Sequence, residues 1–116
     1  MKGPEADKLR VKHILDAISE VESYLKSINK AEFMASSEKR YATIKQVEIV
    51  GEACNRLTDD FKTAHPEIPW KPINGFRNMS IHEYFGVNFQ IVWEIAAVNL
   101  RELKLQFLEI NTEFEV

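Results

Sequence analysis

Apolar residues recur every three or four positions along most of the chain, which is the spacing of one face of an α-helix. A first helix is predicted from about Glu5 to Ile28, with an apolar face formed by Ile14, Ile18, Val21, Leu25 and Ile28. A second is predicted to begin near Ser36 or Ser37, where a hydroxyl can cap free amides, and to continue through Phe61. Pro66 should end it, because proline has no amide hydrogen.

The second half of the chain contains a proline-rich connector and two further helical segments. Three prolines between Pro66 and Pro72 predict a stiff, non-helical connector with Ile68 and Trp70 as anchors to the core. A short third helix is predicted from about Ile73 to Tyr84. Asn88 should cap the fourth helix. The apolar face of that helix consists of Trp93, Ala96, Leu100, Leu103, Phe107 and Ile110.

These elements predict an all-α fold, an antiparallel four-helix bundle in which the short third helix carries the candidate chemistry. No useful length of sequence alternates with the period of two that a sheet needs. A chain of 116 residues suits one core, so residues 1–116 are expected to form a single helical domain. The broad apolar faces of the first and fourth helices leave surface that a second copy can cover, which predicts a homodimer.

Charge narrows the range of partners. Fifteen Lys plus Arg against eighteen Asp plus Glu give a formal charge of −3, the wrong sign for a protein that coats nucleic acid nonspecifically. Contact with nucleic acid must therefore be local. The basic segment Lys8–His13 and the pair Lys39 and Arg40 could each line a groove that follows phosphates, or could simply be solvated helix faces.

Several classes of protein are disfavoured. No apolar stretch approaches the ~20 residues of a membrane span, and the N-terminus is polar where a signal peptide would be apolar, so a cytoplasmic protein without membrane contact is expected. Cys54 is the single cysteine, and its place in an apolar helical face predicts a small buried side chain rather than a reactive thiol. No metal site and no cofactor are predicted, since the histidines lack ligand spacing and the chain has no glycine-rich phosphate loop.

One short stretch holds three side chains that suit RNA chemistry. Arg77 is followed by His82 five residues later and by Tyr84 two residues after that. The expected number of such Arg-x4-His-x-Tyr matches in a shuffled chain of this composition is about 0.003, so a chance match is improbable. RNA supplies its own nucleophile, the 2′-hydroxyl, so cleavage needs a base, an acid and positive charge on the phosphorane. Histidine can transfer protons near neutral pH, and the arginine fork fits phosphoryl oxygens. No metal is required.

Helix geometry complicates this interpretation. Residues five apart lie about 140° from each other around a regular helix, so Arg77 and His82 share a face only if the helix loosens or ends between them. A cleft between two protomers could also bring such side chains together. Taken singly, each residue has an ordinary structural interpretation: Arg77 as a surface cation, His82 as a hydrogen-bonded helix end and Tyr84 as a half-buried aromatic.

The stretch resembles the Arg-x4-His-x-Tyr signature of the HepT-like toxins of the HEPN superfamily, including the polar residue, here Asn78, directly after the arginine. Further matching segments occur in the same order along the chain. They are Gly51-Glu52-Ala53, Ile68-Pro69-Trp70, Val87-Asn88-Phe89 and Val92-Trp93.

The resemblance implies a helical homodimer that cuts RNA without metal in a cleft between its two motif copies. It also implies an antitoxin, a minimal nucleotidyltransferase that transfers AMP from ATP to the motif tyrosine, here Tyr84. Carried over by residue, Arg77 stabilises the anionic transition state, His82 is the acid or base, and Asn78 orients His82 or binds phosphate. Tyr84 is the modification target and a candidate phosphate contact, and AMP on it would compete with RNA for Arg77.

Two alternatives stay open at this point. Glu52 is either a partner that supports Arg77 or an exposed helix residue. The whole chain is either the RNA endonuclease of a toxin-antitoxin pair or a non-catalytic helical subunit of a nucleotidyltransferase complex. The excess of acidic residues suits the second alternative, because an acidic surface binds a basic protein partner better than bare RNA.

Overall fold

The computed structural model describes residues 3–79 and 88–114, and the elements in these ranges are helical, which confirms the predicted all-α class. Three long elements dominate: α1 (Pro4–Leu25), α3 (Ser37–Arg56), and a C-terminal rod. The rod comprises α6 (Phe89–Glu94), a π-helical turn (Ile95–Asn99) and α7 (Leu100–Glu113). Shorter helices stand between them: α2 (Lys30–Ala35), α4 (Asp59–Ala64) and α5 (Trp70–Asn74).

Helix α1 lies at the centre, with α3 and α7 packed against it. Helices α1 and α3 are antiparallel, because the beginning of α1 lies next to the end of α3 and the end of α1 lies next to an earlier part of α3. At one end the Asp7 carboxylate accepts hydrogen bonds from the Thr58 N–H and hydroxyl, at 2.9 and 2.6 Å. At the other end Gln46 donates to the Tyr24 hydroxyl at 3.2 Å. The predicted apolar faces of α1 and α7 form the core between them.

The second predicted helix is shorter than expected. It begins at Ser37 with Ser36 as its cap, as predicted, but ends at Arg56 instead of running to Pro66. Thr58 then caps the new helix α4, because its hydroxyl accepts from the Phe61 N–H while donating to Asp7. Helix α2 was not predicted, although Asn29 and Glu32 form a reciprocal capping box at its start.

The predicted connector is non-helical only in its first part. Helix α5 begins at Trp70 and includes Pro72. Proline is tolerated there because the first-turn amides of a helix have no partner within the helix. The anchors are as predicted: Ile68 is buried, and the Trp70 indole donates to the Lys62 and His65 carbonyls at 3.2 and 3.0 Å. Helix α5 thus begins three residues before the predicted third helix, and a 3₁₀ turn over 75–79 follows it. The remainder of that prediction, as far as Tyr84, lies outside the described residues.

The C-terminal rod keeps the predicted cap and, within α7, the predicted apolar face, whereas Trp93 and Ala96 are only partly buried. Asn88 accepts from the Gln90 N–H at 3.0 Å, and Leu100, Leu103, Phe107 and Ile110 are buried. The π-helical turn was not predicted. It adds one residue to a turn of the rod, so the apolar face before it is rotated relative to the apolar face of α7. Val92 and Ile95 are buried as well. Within the described parts of the chain, no helix is long and apolar enough to cross a membrane.

Cys54 is buried in the core, as its position in the apolar face predicts. Burial raises the pKa of its thiol from 9.0 to about 12, because the charged thiolate would lose its hydration. The stability that the buried neutral thiol contributes is therefore fully present below pH 9.0. It is lost as the pH rises through the folded-state pKa of about 12. At neutral pH Cys54 is a small hydrophobic side chain, not a nucleophile.

Candidate active site

The site is built where α3 meets the 3₁₀ turn over 75–79. Gly51 makes this approach possible: a Cβ added there would lie 2.8 Å from the Arg77 backbone nitrogen and 2.9 Å from Phe76 Cβ. Any side chain would therefore push the turn away from α3. The glycine in the middle of α3 is explained by this contact, since glycine otherwise weakens a helix.

Glu52, the next residue on α3, holds the Arg77 guanidinium. Arg77 Nε lies 3.1 Å from Glu52 Oε2, and Arg56 Nε lies 2.7 Å from Oε1 of the same carboxylate. Of the two interpretations of Glu52, the structure favours the partner of Arg77. The Arg77 side chain is 34% exposed and that of Arg56 is 63% exposed, so both cations are accessible to a ligand.

The charge on Glu52 is secured by its two partners. Hydrogen bonds from Arg56 first, and from Arg77 second, hold the pKa of Glu52 below its ordinary value of 4.5. The carboxylate is thus ionised throughout the neutral range. The stability that the two ion pairs contribute is present above pH 4.5 and is lost only as the pH falls through the lowered folded-state value.

The candidate residues fall on both sides of the described boundary. Arg77 and Asn78 lie in the 3₁₀ turn, with Asn78 exposed, and Arg77 Nη1 also reaches Asn74 Oδ1 at 3.4 Å. His82 and Tyr84 lie outside the described residues, so their roles, and their meeting with Arg77, stay predictions.

Two contributors to the site were missed by sequence reasoning. Arg56 stands four residues after Glu52, the spacing of a helical ion pair, and this signal could have identified it. Asn74 stands three residues before Arg77, but nothing in the local sequence marks it as an arginine partner.

A groove of about 610 Å³ runs beside the site, between α1 and α3. Glu52 and Arg56 form part of its α3 wall, and Arg10 and His13, from the predicted basic segment, form part of its α1 wall. Its lining contains three carboxylates against two guanidiniums, a balance that does not favour RNA phosphates. Leu9 and Ile49, together with the small Ala6, Ala17 and Ala53, give the groove an apolar lining.

Comparison with known proteins places the motif in its family. The model of the ribonuclease HepT-like family matches residues 14–110, a range that contains both α3 and Arg77. The chain belongs to this family. It is 35% identical over 111 residues to the "Probable ribonuclease HepT" of Thermococcus cleftensis, with 96% of this chain and 99% of that protein covered.

Two further relatives are each named "Putative RNase". The one from Caldanaerobacter subterraneus subsp. tengcongensis is 37% identical over 100 residues, which cover 86% of this chain and 89% of that protein. One from Methanocaldococcus jannaschii is 36% identical over 91 residues, covering 78% and 84%. No solved structure matches the chain. Membership of a HepT-like family identifies the chain as a ribonuclease of the HEPN type.

Proposed function

We propose that this ribonuclease is a metal-independent endonuclease in which Arg77 binds the scissile phosphate of RNA. The observation that carries the proposal is the Arg77 guanidinium, held at 3.1 Å by Glu52 and still one-third exposed. A guanidinium anchored on one edge keeps its remaining N–H groups free to bind phosphoryl oxygens. Asn78, on the same turn, is the supporting phosphate contact or the residue that orients His82.

The reaction that fits these residues is an internal transesterification. The RNA 2′-hydroxyl gives its proton to a base and attacks the adjacent phosphorus, the bond to the 5′-oxygen breaks, and that oxygen takes a proton. His82 transfers the protons, and Arg77 stabilises the added negative charge of the phosphorane. Atoms balance without a water molecule or a metal, and the products are a 2′,3′-cyclic phosphate and a 5′-hydroxyl.

We also propose that this ribonuclease is the toxin of a toxin-antitoxin pair. A nucleotidyltransferase antitoxin would transfer AMP from ATP to the Tyr84 hydroxyl, with pyrophosphate as the leaving group. The new phosphodiester would compete with RNA for the Arg77 cation, which supports inhibition by charge and bulk.

Both parts can be tested on one preparation. The purified protein is expected to cleave single-stranded RNA in EDTA and to leave 2′,3′-cyclic phosphate ends, identified by mass spectrometry. Incubation with ATP and a minimal nucleotidyltransferase of the antitoxin type should add one AMP to Tyr84 and stop cleavage, while the Tyr84→Phe protein gains no AMP. Cleavage that EDTA abolishes, or that leaves 5′-phosphate ends, would contradict the proposed chemistry.

We further propose that the α1–α3 groove is the surface through which two copies form a homodimer. The lining is self-complementary: if two α1 helices cross antiparallel at His13, Arg10 meets Asp16 of the partner subunit. The exposed Leu9 then lies against the groove surface around the small, buried Ala17 of the partner subunit, where no large side chain obstructs it, so charge and size match together. Because Glu52 and Arg56 line the same groove, the two Arg77 residues would lie near one shared interface.

The dimer surface is tested by matched leucine substitutions. Leu9→Asp is expected to convert the dimer to monomer in sedimentation analysis, because it places a carboxylate in the apolar part of the contact. Leu105→Asp, on the outer side of α7 and 65% exposed, should leave the dimer intact. A wild-type monomer, or a dimer broken by the Leu105 change alone, would refute this assignment.

A further inference from the structure

A pair of aromatic rings, of which Tyr41 is exposed, stands where the start of α3 meets the start of α6, away from the Arg77 turn. Tyr41 is 47% exposed, and its ring meets that of Phe89, the first residue of α6, edge to face at 6.1 Å with an interplanar angle of 78°. A half-exposed tyrosine held by a second ring offers a rigid flat surface at low entropic cost.

Arg40 supports these rings and is not a free phosphate ligand. Its guanidinium carbon lies 4.8 Å from the Phe89 ring centroid and 5.9 Å from that of Tyr41. One terminal nitrogen donates to the Met34 carbonyl, and Nε is buried with no hydrogen-bond partner among the described residues. The cation of this predicted basic pair is thus fixed against the aromatic rings, where it polarises them.

The aromatic pair faces the same side of α3 as the candidate active site. Tyr41 and Glu52 are eleven residues apart, which is about 20° around a regular helix and about 16 Å along it. Lys45, exposed one turn after Tyr41, and the partly buried Glu48 lie on the path between them. Sixteen ångströms corresponds to about five stacked nucleotides, and to fewer in an extended strand. One RNA strand can therefore reach both Tyr41 and Arg77.

We propose that Tyr41 stacks an unpaired base of the RNA substrate a few nucleotides from the phosphate bound by Arg77. The inference deepens the proposed function, on which it rests, by assigning a base-binding subsite and a preference for single-stranded RNA. Phe89 and Arg40 hold the tyrosine ring, and Lys45 contacts the intervening backbone. An aromatic ring beside local positive charge is the usual means by which proteins bind single strands, since every base has a face that can stack.

Binding of an uncleavable strand separates this inference from the nuclease proposal. The probe is a 2′-O-methyl RNA of mixed sequence, with 2-aminopurine placed at successive positions, and the same sequence as a duplex. Tyr41→Ala is expected to weaken single-strand binding about tenfold and to leave duplex binding within twofold, while Tyr41→Phe binds like the wild type. Wild-type protein should quench one 2-aminopurine position, and Tyr41→Ala should remove that quenching.

Other results would decide against the subsite. The control Leu105→Ala removes a more exposed apolar side chain from α7 and should change neither measurement. Equal weakening of single-strand and duplex binding, or unchanged quenching in Tyr41→Ala, would overturn the proposal. So would intact RNA binding by Tyr41→Ala together with lost binding of a nucleotidyltransferase antitoxin, since the rings would then be a protein-docking surface. Absence of RNA cleavage by the wild type would instead refute the nuclease proposal alone.

Discussion

Replacing Arg77 with alanine is expected to lower the rate of RNA cleavage about a hundred- to a thousandfold, with little change in folding stability. The guanidinium is the cation we assign to the phosphorane, and removal of one preorganised charge donor typically costs this much in rate. Stability should change little, because the Arg77–Glu52 pair is partly solvent-exposed and such pairs contribute little. Single-turnover cleavage and thermal unfolding of the same samples measure the two effects.

Three further variants test whether cleavage depends on the specific geometry of Arg77, on nearby positive charge in general, and on His82. Arg77→Lys keeps the charge but loses the fork geometry, so an intermediate rate is expected. Arg56→Ala removes the other cation on the same Glu52 carboxylate and should retain at least a third of the activity. His82→Ala should lose cleavage while still binding RNA. Activity lost equally in Arg56→Ala and Arg77→Ala would show that general charge, and not a specific phosphate contact, matters.

Replacing Gly51 with alanine is expected to lower both the stability and the activity. The added methyl group would lie 2.8 Å from the Arg77 backbone nitrogen and 3.0 Å from the Phe76 carbonyl carbon, and backbone atoms cannot rotate away. Overpacking of this kind costs about 1–3 kcal/mol. This cost equals or exceeds the ~1 kcal/mol by which alanine stabilises a helix relative to glycine. Displacement of the turn would also separate Arg77 from Glu52, so cleavage should fall at least tenfold.

Gly75 supplies the matched control for this substitution. It lies in the adjoining turn with right-handed helical angles (φ −68°, ψ −17°), and a Cβ there would meet no atom within 4 Å. Gly75→Ala should therefore unfold at the same temperature as the wild type or slightly above it, because alanine restricts the unfolded chain. Denaturant titration compares the two proteins. A Gly51→Ala protein as stable as Gly75→Ala would refute the packing explanation.

The sequence was sufficient for the parts of this protein that depend on local pattern. The apolar face of α1, the cap at Ser36, the cap at Asn88 and the buried residues of α7 follow from helical periodicity and hydroxyl or amide capping. The motif residues Arg77, His82, Asn78 and Tyr84 were predicted from spacing and resemblance, and their roles stay predictions. Local pattern could not place the end of α3, because Thr58 turns the chain by bonding Asp7, which is 51 positions away.

The sequence by itself thus determined an all-helical ribonuclease-family chain and the position of its motif, since periodicity and spacing are properties of neighbouring residues. Only the tertiary structure decided that Glu52 holds Arg77 across 25 positions and that Gly51 lets the 75–79 turn approach α3. It also brought Phe89 onto Tyr41. Each of these contacts joins segments distant in the chain, and their distance depends on how the helices pack.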